Sequence, residues 1–295
     1  RPENPGRCTG VFLWGRCTDL YTRQKQVREA ILPSPQLSAL VGAVAPLFAG
    51  EAEVMRTYWT SPVRTPETDR LWLLRQSRKE VWDTPLGDQR GLYVGPVEDL
   101  LADFPKIDTE IPREDILDRM EGIYEEFSHY CAFADAYDSV RPEGEPRLSP
   151  PRLRDVPDWA ENLAIRDRRA EIKATEGTVG ERACFFTEGG YCTLFSEGMT
   201  LKGNGGVDDM IARSCALVYE DEFGHMCKGI VGLDTGEMSD ADWARMTELS
   251  VELAILRIHM RNGQFSYPLS ADRISAIVAG DIEPVAFNFA KAVGH

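Results

Sequence analysis

Two stretches decide the reading of this chain: Glu126-Phe-Ser-His129 and Asp221-Glu222-Phe-Gly-His225. The chain has four histidines, and two of them stand three residues after a glutamate within segments of helical periodicity. On an α-helix, positions i and i+3 share a face, so each stretch can aim one carboxylate and one imidazole at a common point. One Glu-x-x-His alone is most often a surface pair. Two of them on separate helices of one bundle form the pattern that holds a pair of metal ions, and that pattern calls for one more glutamate from each of two further helices.

The surrounding sequence supplies a bundle. Apolar residues at helical spacing (Leu37, Leu40, Val41, Val44, Leu47, Phe48, Val54, Met55, Tyr58) predict a core helix over about 35–60. A second helix is expected over 65–83, followed by a Gly- and Pro-rich stretch, so 61–108 reads as an insertion. The first motif lies on a long helix over about 113–139. Five prolines between Arg141 and Pro157 exclude a helix there and imply an extended crossover. A third core helix is expected over 159–199, a glycine-rich turn over Leu201–Gly206, and a fourth core helix over 207–230 that carries the second motif. C-terminal helices over 239–293 complete a single all-α domain spanning 1–295, a four-helix bundle with additional helices.

The remaining ligands are sought on apolar faces, where an unpartnered carboxylate is costly. Glu188 is flanked one turn away by Cys184, Phe185, Tyr191 and Cys192. Measured from the glycine-rich turn it lies roughly 17 Å along its helix and Glu222 roughly 23 Å along the next, so the two come to similar depth. On the first helix Glu51 falls in the apolar stripe, whereas Glu53 points elsewhere. Glu80 and Glu98 are alternatives, being nearer in sequence to Glu126. The expected metal set is Glu51, Glu126, His129, Glu188, Glu222 and His225, with Glu126, Glu188 and Glu222 also in catalytic roles. Phe127, Phe133, Phe185, Tyr191 and Cys192 are candidates to line a pocket, and His259 reads as a core or interface histidine.

These residues resemble the ferritin-like di-iron carboxylate superfamily, which includes rubrerythrins, the ribonucleotide reductase small subunit and di-iron oxygenases. Asp221-Glu222-Phe-Gly-His225 looks like the D-E-x-x-H form of the oxygenase and reductase branch, in which the preceding Asp supports a ligand from behind. Phe48-Ala-Gly-Glu51 looks like the first-helix motif of rubrerythrins. The spacing of 34 residues from Glu188 to Glu222 is typical of the superfamily, whereas 75 from Glu51 to Glu126 exceeds its usual hairpin. The resemblance implies a ferritin-like bundle holding two Fe ions, or an Mn/Fe pair, with O2 as co-substrate, since carboxylates with imidazoles suit iron or manganese over sulfur-seeking metals.

Composition narrows the function classes. A formal charge of −15 disfavours a phosphate backbone as partner, so no nucleic acid is expected, and a tRNA-modifying hydroxylase is a weaker reading than a monooxygenase or oxidase acting on a small molecule. Seven cysteines without a CxxC pair read as reduced, small core residues. No apolar run reads as a membrane span and no signal peptide is evident, so the expectation is a cytoplasmic protein without membrane association. With no flavin, nicotinamide or iron–sulfur motif, electrons are expected from a separate reductase. A homodimer is the default assembly. A ferroxidase or iron-handling protein is disfavoured by the length beyond one bundle, and a metal-free helical interaction protein is the remaining alternative.

Overall fold

Eleven α-helices build the described part of the chain, and their ends follow local chemistry. The computed structural model describes residues 33–83, 87–88, 91–92, 94–230, 233 and 238–289. Helix α1 (Pro35–Thr60) starts where Ser34 Oγ accepts from the Leu37 amide at 3.1 Å and runs on through Pro46. Helix α2 (Pro66–Trp82) opens on a reciprocal capping box between Thr65 and Thr68. Two-residue strands, Gly87–Asp88 and Gly91–Leu92, pair antiparallel before α3 (Val94–Asp103). Then come α4 (Arg113–Val140), the short α5 (Pro150–Leu153), α6 (Ala160–Thr175), α7 (Gly177–Phe186), α8 (Thr193–Met199) and α9 (Gly206–Lys228). Helix α10 (Asp240–Gln264) starts on a second capping box, Ser239 with Asp242, and α11 (Ala271–Val278) follows.

The helices pack as a ring around one core. Helix α4 lies between α2 and α9; α9 meets α7 and α8; α8 meets α1; α1 packs along α10, which also covers α6 and α7. Trp72 stacks on Phe265 with centroids 5.0 Å apart, and Tyr58 meets the same ring edge-on at 5.0 Å, joining α1, α2 and the end of α10. Their polar atoms are met by buried Asp69, whose Oδ1 accepts from Tyr58 Oη at 2.9 Å and Trp72 Nε1 at 3.1 Å.

Several expectations change. Residues 66–82 are no insertion, because α2 packs along α4 as a core helix. The helix expected over 159–199 is three helices. It breaks at Gly177 (φ +55°) and again at 187–192, where Gly189, Gly190, Tyr191 and Cys192 are all left-handed. Residues 283–288 are not helical, and the rest of the helix expected to 293 lies largely outside the described residues, as do residues 1–32 of the expected single domain. Residues 33–295 form one compact unit. By length and composition α1 could cross a membrane, having a window of mean hydropathy 1.4, which corrects the expectation that no run is apolar enough. Its packing accounts for that apolarity, since 67% of the window is buried inside the protein. Four of the cysteines, 184, 192, 215 and 227, are buried as expected, Cys131 is exposed, and Cys8 and Cys17 lie outside the described residues.

Candidate metal centre

His129, fully buried on α4, is the centre of the candidate site. Its Nε2 is 3.1 Å from Asp221 Oδ2 on α9. A carboxylate acceptor there draws the ring proton to Nε2 and turns Nδ1 inward. Nδ1 faces three carboxylate oxygens at nearly one distance: Glu80 Oε2 at 3.8 Å, Glu126 Oε2 at 3.8 Å and Glu222 Oε1 at 3.9 Å. It is buried and has no hydrogen-bond partner among the described residues. Donor atoms from Glu80, His129 and Glu222 lie within 4.8 Å of one another, close enough to share an ion. The donor set is one imidazole and oxygen ligands only, with no sulfur ligand among them.

Three helices aim these groups. On α4 the i, i+3 spacing places Glu126 beside His129, and on α9 the adjacent Asp221 and Glu222 reach His129 from its two nitrogen sides. On α2, Glu80 is oriented by Gln76, whose Nε2 donates to Glu80 Oε1 at 2.5 Å, leaving Oε2 toward the histidine.

The electrostatics are those of carboxylates crowded together without enough positive charge. Burial, and after it the charges of Glu222 and Glu80, push the Glu126 carboxyl up to about 8, against the lowering effect of His129. Burial followed by Glu80 and Glu188 also raises Glu222. For His129 burial acts downward, but the Glu126 carboxylate beside it and the charges of Glu80 and Glu222 outweigh it and hold the imidazole at about 10. Protons therefore occupy the cluster where a cation would otherwise sit.

The sequence-derived set is met in part. Glu126, His129 and Glu222 come together. Glu188 is half-buried in the turn between α7 and α8, not on a helix, and its charge acts on Glu222. His225, half-buried one turn beyond Glu222 on α9, has Nε2 3.4 Å from Glu125 Oε2. Glu51 is displaced from the set. Its Oε1 accepts from Arg257 Nη2 at 2.7 Å and Arg261 Nε at 3.1 Å, and its Oε2 accepts from Arg257 Nε at 2.8 Å. A carboxylate clamped by two guanidinium groups has neither free lone pairs nor a favourable field for a metal ion. Glu80, the alternative nearer in sequence to Glu126, stands in the cluster instead.

The turn at 187–192 seals this layer. Gly190 has φ +57°, and a Cβ there would overlap Glu51 Oε2 and lie 2.5 Å from Arg257 Nε; one at Gly189 would meet Glu222 Oε2 at 3.4 Å. Of the expected pocket residues, Tyr191 stacks on Phe287 at 4.7 Å and on Phe48 at 6.2 Å, and Cys192 and Phe133 are buried. Phe185 is half-buried, with Lys173 over its ring, whereas Phe127 is 43% exposed and faces away. His259 is exposed, which removes the core alternative from its expected core or interface position. Asp221 lies against His129 Nε2, where the resemblance places a supporting residue, and Glu80 is one of the sequence alternatives, but Gln76 and the Arg257–Arg261 pair are not among the residues the sequence singles out. The pair's spacing of four residues on the apolar side of α10 was the available signal.

Comparisons with protein-family models, with curated proteins and with solved structures find no match to this chain.

Proposed function

We propose that this chain is a ferritin-like di-iron oxygenase or oxidase that uses dioxygen to oxidise a small organic substrate. The observation that carries the reading is the buried His129 Nδ1, without a hydrogen-bond partner, among three carboxylate oxygens at 3.8–3.9 Å. In this reading α2, α4, α9 and the segment of α7 and α8 are the four core helices, and Glu80 is the first-helix ligand. Glu80, Glu126, His129 and Glu222 hold one ion; Glu188 and His225, with the shared carboxylates, hold the second. Four carboxylates balance two divalent ions. Iron held there would supply the electrons that reduce dioxygen.

The chain's own residues perform the rest. Asp221 keeps the His129 ring in one tautomer and orientation, and Gln76 does the same for Glu80. In the metal-free chain Glu126 holds a proton near neutral pH, which binding of an ion there would release. Phe48, Tyr191 and Phe223 form an apolar cover beside the turn that excludes bulk water. Small molecules fit this reading better than nucleic acid, given the charge of −15.

The test is an anaerobic ferrous titration with metal counted per chain after desalting, followed by oxygen uptake. The wild type should bind two irons and consume oxygen. Glu80→Ala and His129→Ala should each lose most of the iron, and His259→Ala should keep it. A folded wild-type chain that binds no iron after reconstitution refutes the proposal.

A further inference from the structure

Beside the carboxylate cluster α2, α6 and α10 bring four cationic side chains into one layer: Lys79, Arg169, Arg257 and Arg261. Lys79 feels the charges of Arg261, Arg257 and Arg169, and Arg169 feels that of Arg257, so all four lie within repulsive range. Arg257 and Arg261 share Glu51. The other two have no such partner. Lys79 Nζ donates only to the Asn162 amide oxygen at 3.1 Å, and Arg169 Nη2 to Thr187 Oγ1 at 3.3 Å. Among the described residues neither makes an ion pair, and Arg169 Nε is buried with no hydrogen-bond partner. Asp83, the acid nearest in influence to Lys79, is taken by Arg78 and Asn162.

The remaining negative charge comes from the candidate metal ligands. The Glu188 carboxylate lies within electrostatic range of Arg169 and Arg257, Glu222 of Arg257, and Glu80 of Arg261. Ions bound to those carboxylates would cancel that support and leave four cations with one carboxylate, Glu51. A buried cation without a counter-charge is strongly unfavourable, so the iron-loaded site favours an added anion.

We propose that Arg169 and Lys79 bind the carboxylate of a small organic acid, the substrate of the di-iron centre, in the layer next to the metal ligands and beneath the 187–192 turn. The inference rests on the di-iron reading above. The free Nε–H of Arg169 and its neighbouring Nη2–H form the two-pronged edge that pairs with a carboxylate, and Lys79 adds a point charge from the opposite helix. Adjacency in sequence places the two sites together, since Lys79 precedes Glu80 and Thr187, which holds Arg169, precedes Glu188. Entry requires the turn at 187–192 to lift, because its glycines lie directly against Glu51, Arg257 and Glu222.

The test uses the full chain loaded anaerobically with ferrous iron, its metal counted beforehand. Thermal unfolding is followed against sodium benzoate, sodium propionate and sodium phosphate, with sodium chloride at matched ionic strength as control. One of the carboxylates should raise the melting temperature saturably, by about 3–6 °C at a hundredfold excess over its dissociation constant. Arg169→Gln and Lys79→Gln should abolish the rise while keeping two irons, and Arg169→Lys should weaken it at least tenfold in affinity. Arg168→Gln, which removes a surface pair with Glu252, should leave it unchanged. If Arg169→Gln does not fold, Lys79→Gln and Arg169→Lys carry the comparison. An iron-loaded wild type with no saturable response, a response to phosphate alone, or an undiminished response in folded Arg169→Gln overturns the anion site while leaving the di-iron reading intact. A wild type that binds no iron overturns both.

Discussion

Replacing Glu51 by Gln separates the two roles a buried carboxylate can have in this bundle. Glu51 is 1% exposed and accepts three hydrogen bonds, at 2.7, 2.8 and 3.1 Å, from two arginines that are themselves 5% and 3% exposed. The substitution keeps the shape, removes the charge and turns an N–H donor toward a guanidinium. Breaking a buried pair from one side costs about 3–5 kcal/mol, because the opposite charge stays buried and uncompensated. Here two cations are left, so the upper end applies. For a chain of this size that corresponds to a fall of about 8–15 °C in melting temperature. Unfolding of iron-free protein is followed by circular dichroism, and iron is counted separately on protein kept cold and folded. Glu51→Gln should be strongly destabilised yet bind two irons, whereas Glu80→Gln should unfold within about 2 kcal/mol of wild type and lose iron. The reasoning fails if Glu51→Gln loses iron while Glu80→Gln keeps it, or if Glu51→Gln is as stable as wild type.

Three further outcomes are expected. Gly190→Ala should destabilise by at least 3 kcal/mol in urea unfolding, since it combines a left-handed φ with overlap onto Glu51 and Arg257, whereas Gly42→Ala, on the open face of α1, should stabilise by about 0.5–1 kcal/mol. Asp221→Asn should weaken iron binding about 10–100-fold without changing the number of ions at saturation, because it alters the support behind His129 and not the ligands; a titration showing one ion lost outright would contradict this. The pH dependence of the metal-free chain has a definite sign. Glu126 and His129 both hold protons above their ordinary values, so their contribution is complete at low pH. It is lost as pH rises, through about 4.5 to 8 for Glu126 and about 6.5 to 10 for His129. Melting temperature should therefore fall between pH 6 and 9.5 in chelator and change less with iron bound, and equal slopes in the two conditions would contradict the site.

Helix existence was legible where the apolar stripe ran without interruption. Helices α1, α2, α4, α9 and α10 begin and end close to their expected positions because caps and periodicity agree: Ser34 before α1, Thr65 with Thr68 before α2, and Ser239 with Asp242 before α10. The segment from 159 to 199 misled because its apolar residues keep helical spacing on both sides of the breaks, so periodicity averages through them. Gly177, Gly189 and Gly190 were the local signal. Tyr191 and Cys192 carry no such mark, since a left-handed conformation at a non-glycine residue is imposed by packing, here by the stacking of Tyr191 on Phe48 and Phe287.

Burial of a carboxylate could be read from one helix, but its partner could not. Glu51 and Glu80 are both buried, at 1% and 4%, and a stripe of apolar neighbours describes each equally well. What separates them is the charge that other helices deliver. Arg257 and Arg261 arrive at Glu51 from α10, more than two hundred residues away, while Glu80 Oε1 accepts from Gln76 and Oε2 faces His129 Nδ1. The carboxylate clamped by two guanidinium groups completes an ion pair, and the one that faces an imidazole beside two further carboxylates could share an ion with them. The spacing of Arg257 and Arg261 on the apolar side of a helix implies a buried acid opposite. Once Glu51 is given to that pair, Glu80 is the acid in the described bundle left to complete the cluster with Glu126, His129 and Glu222.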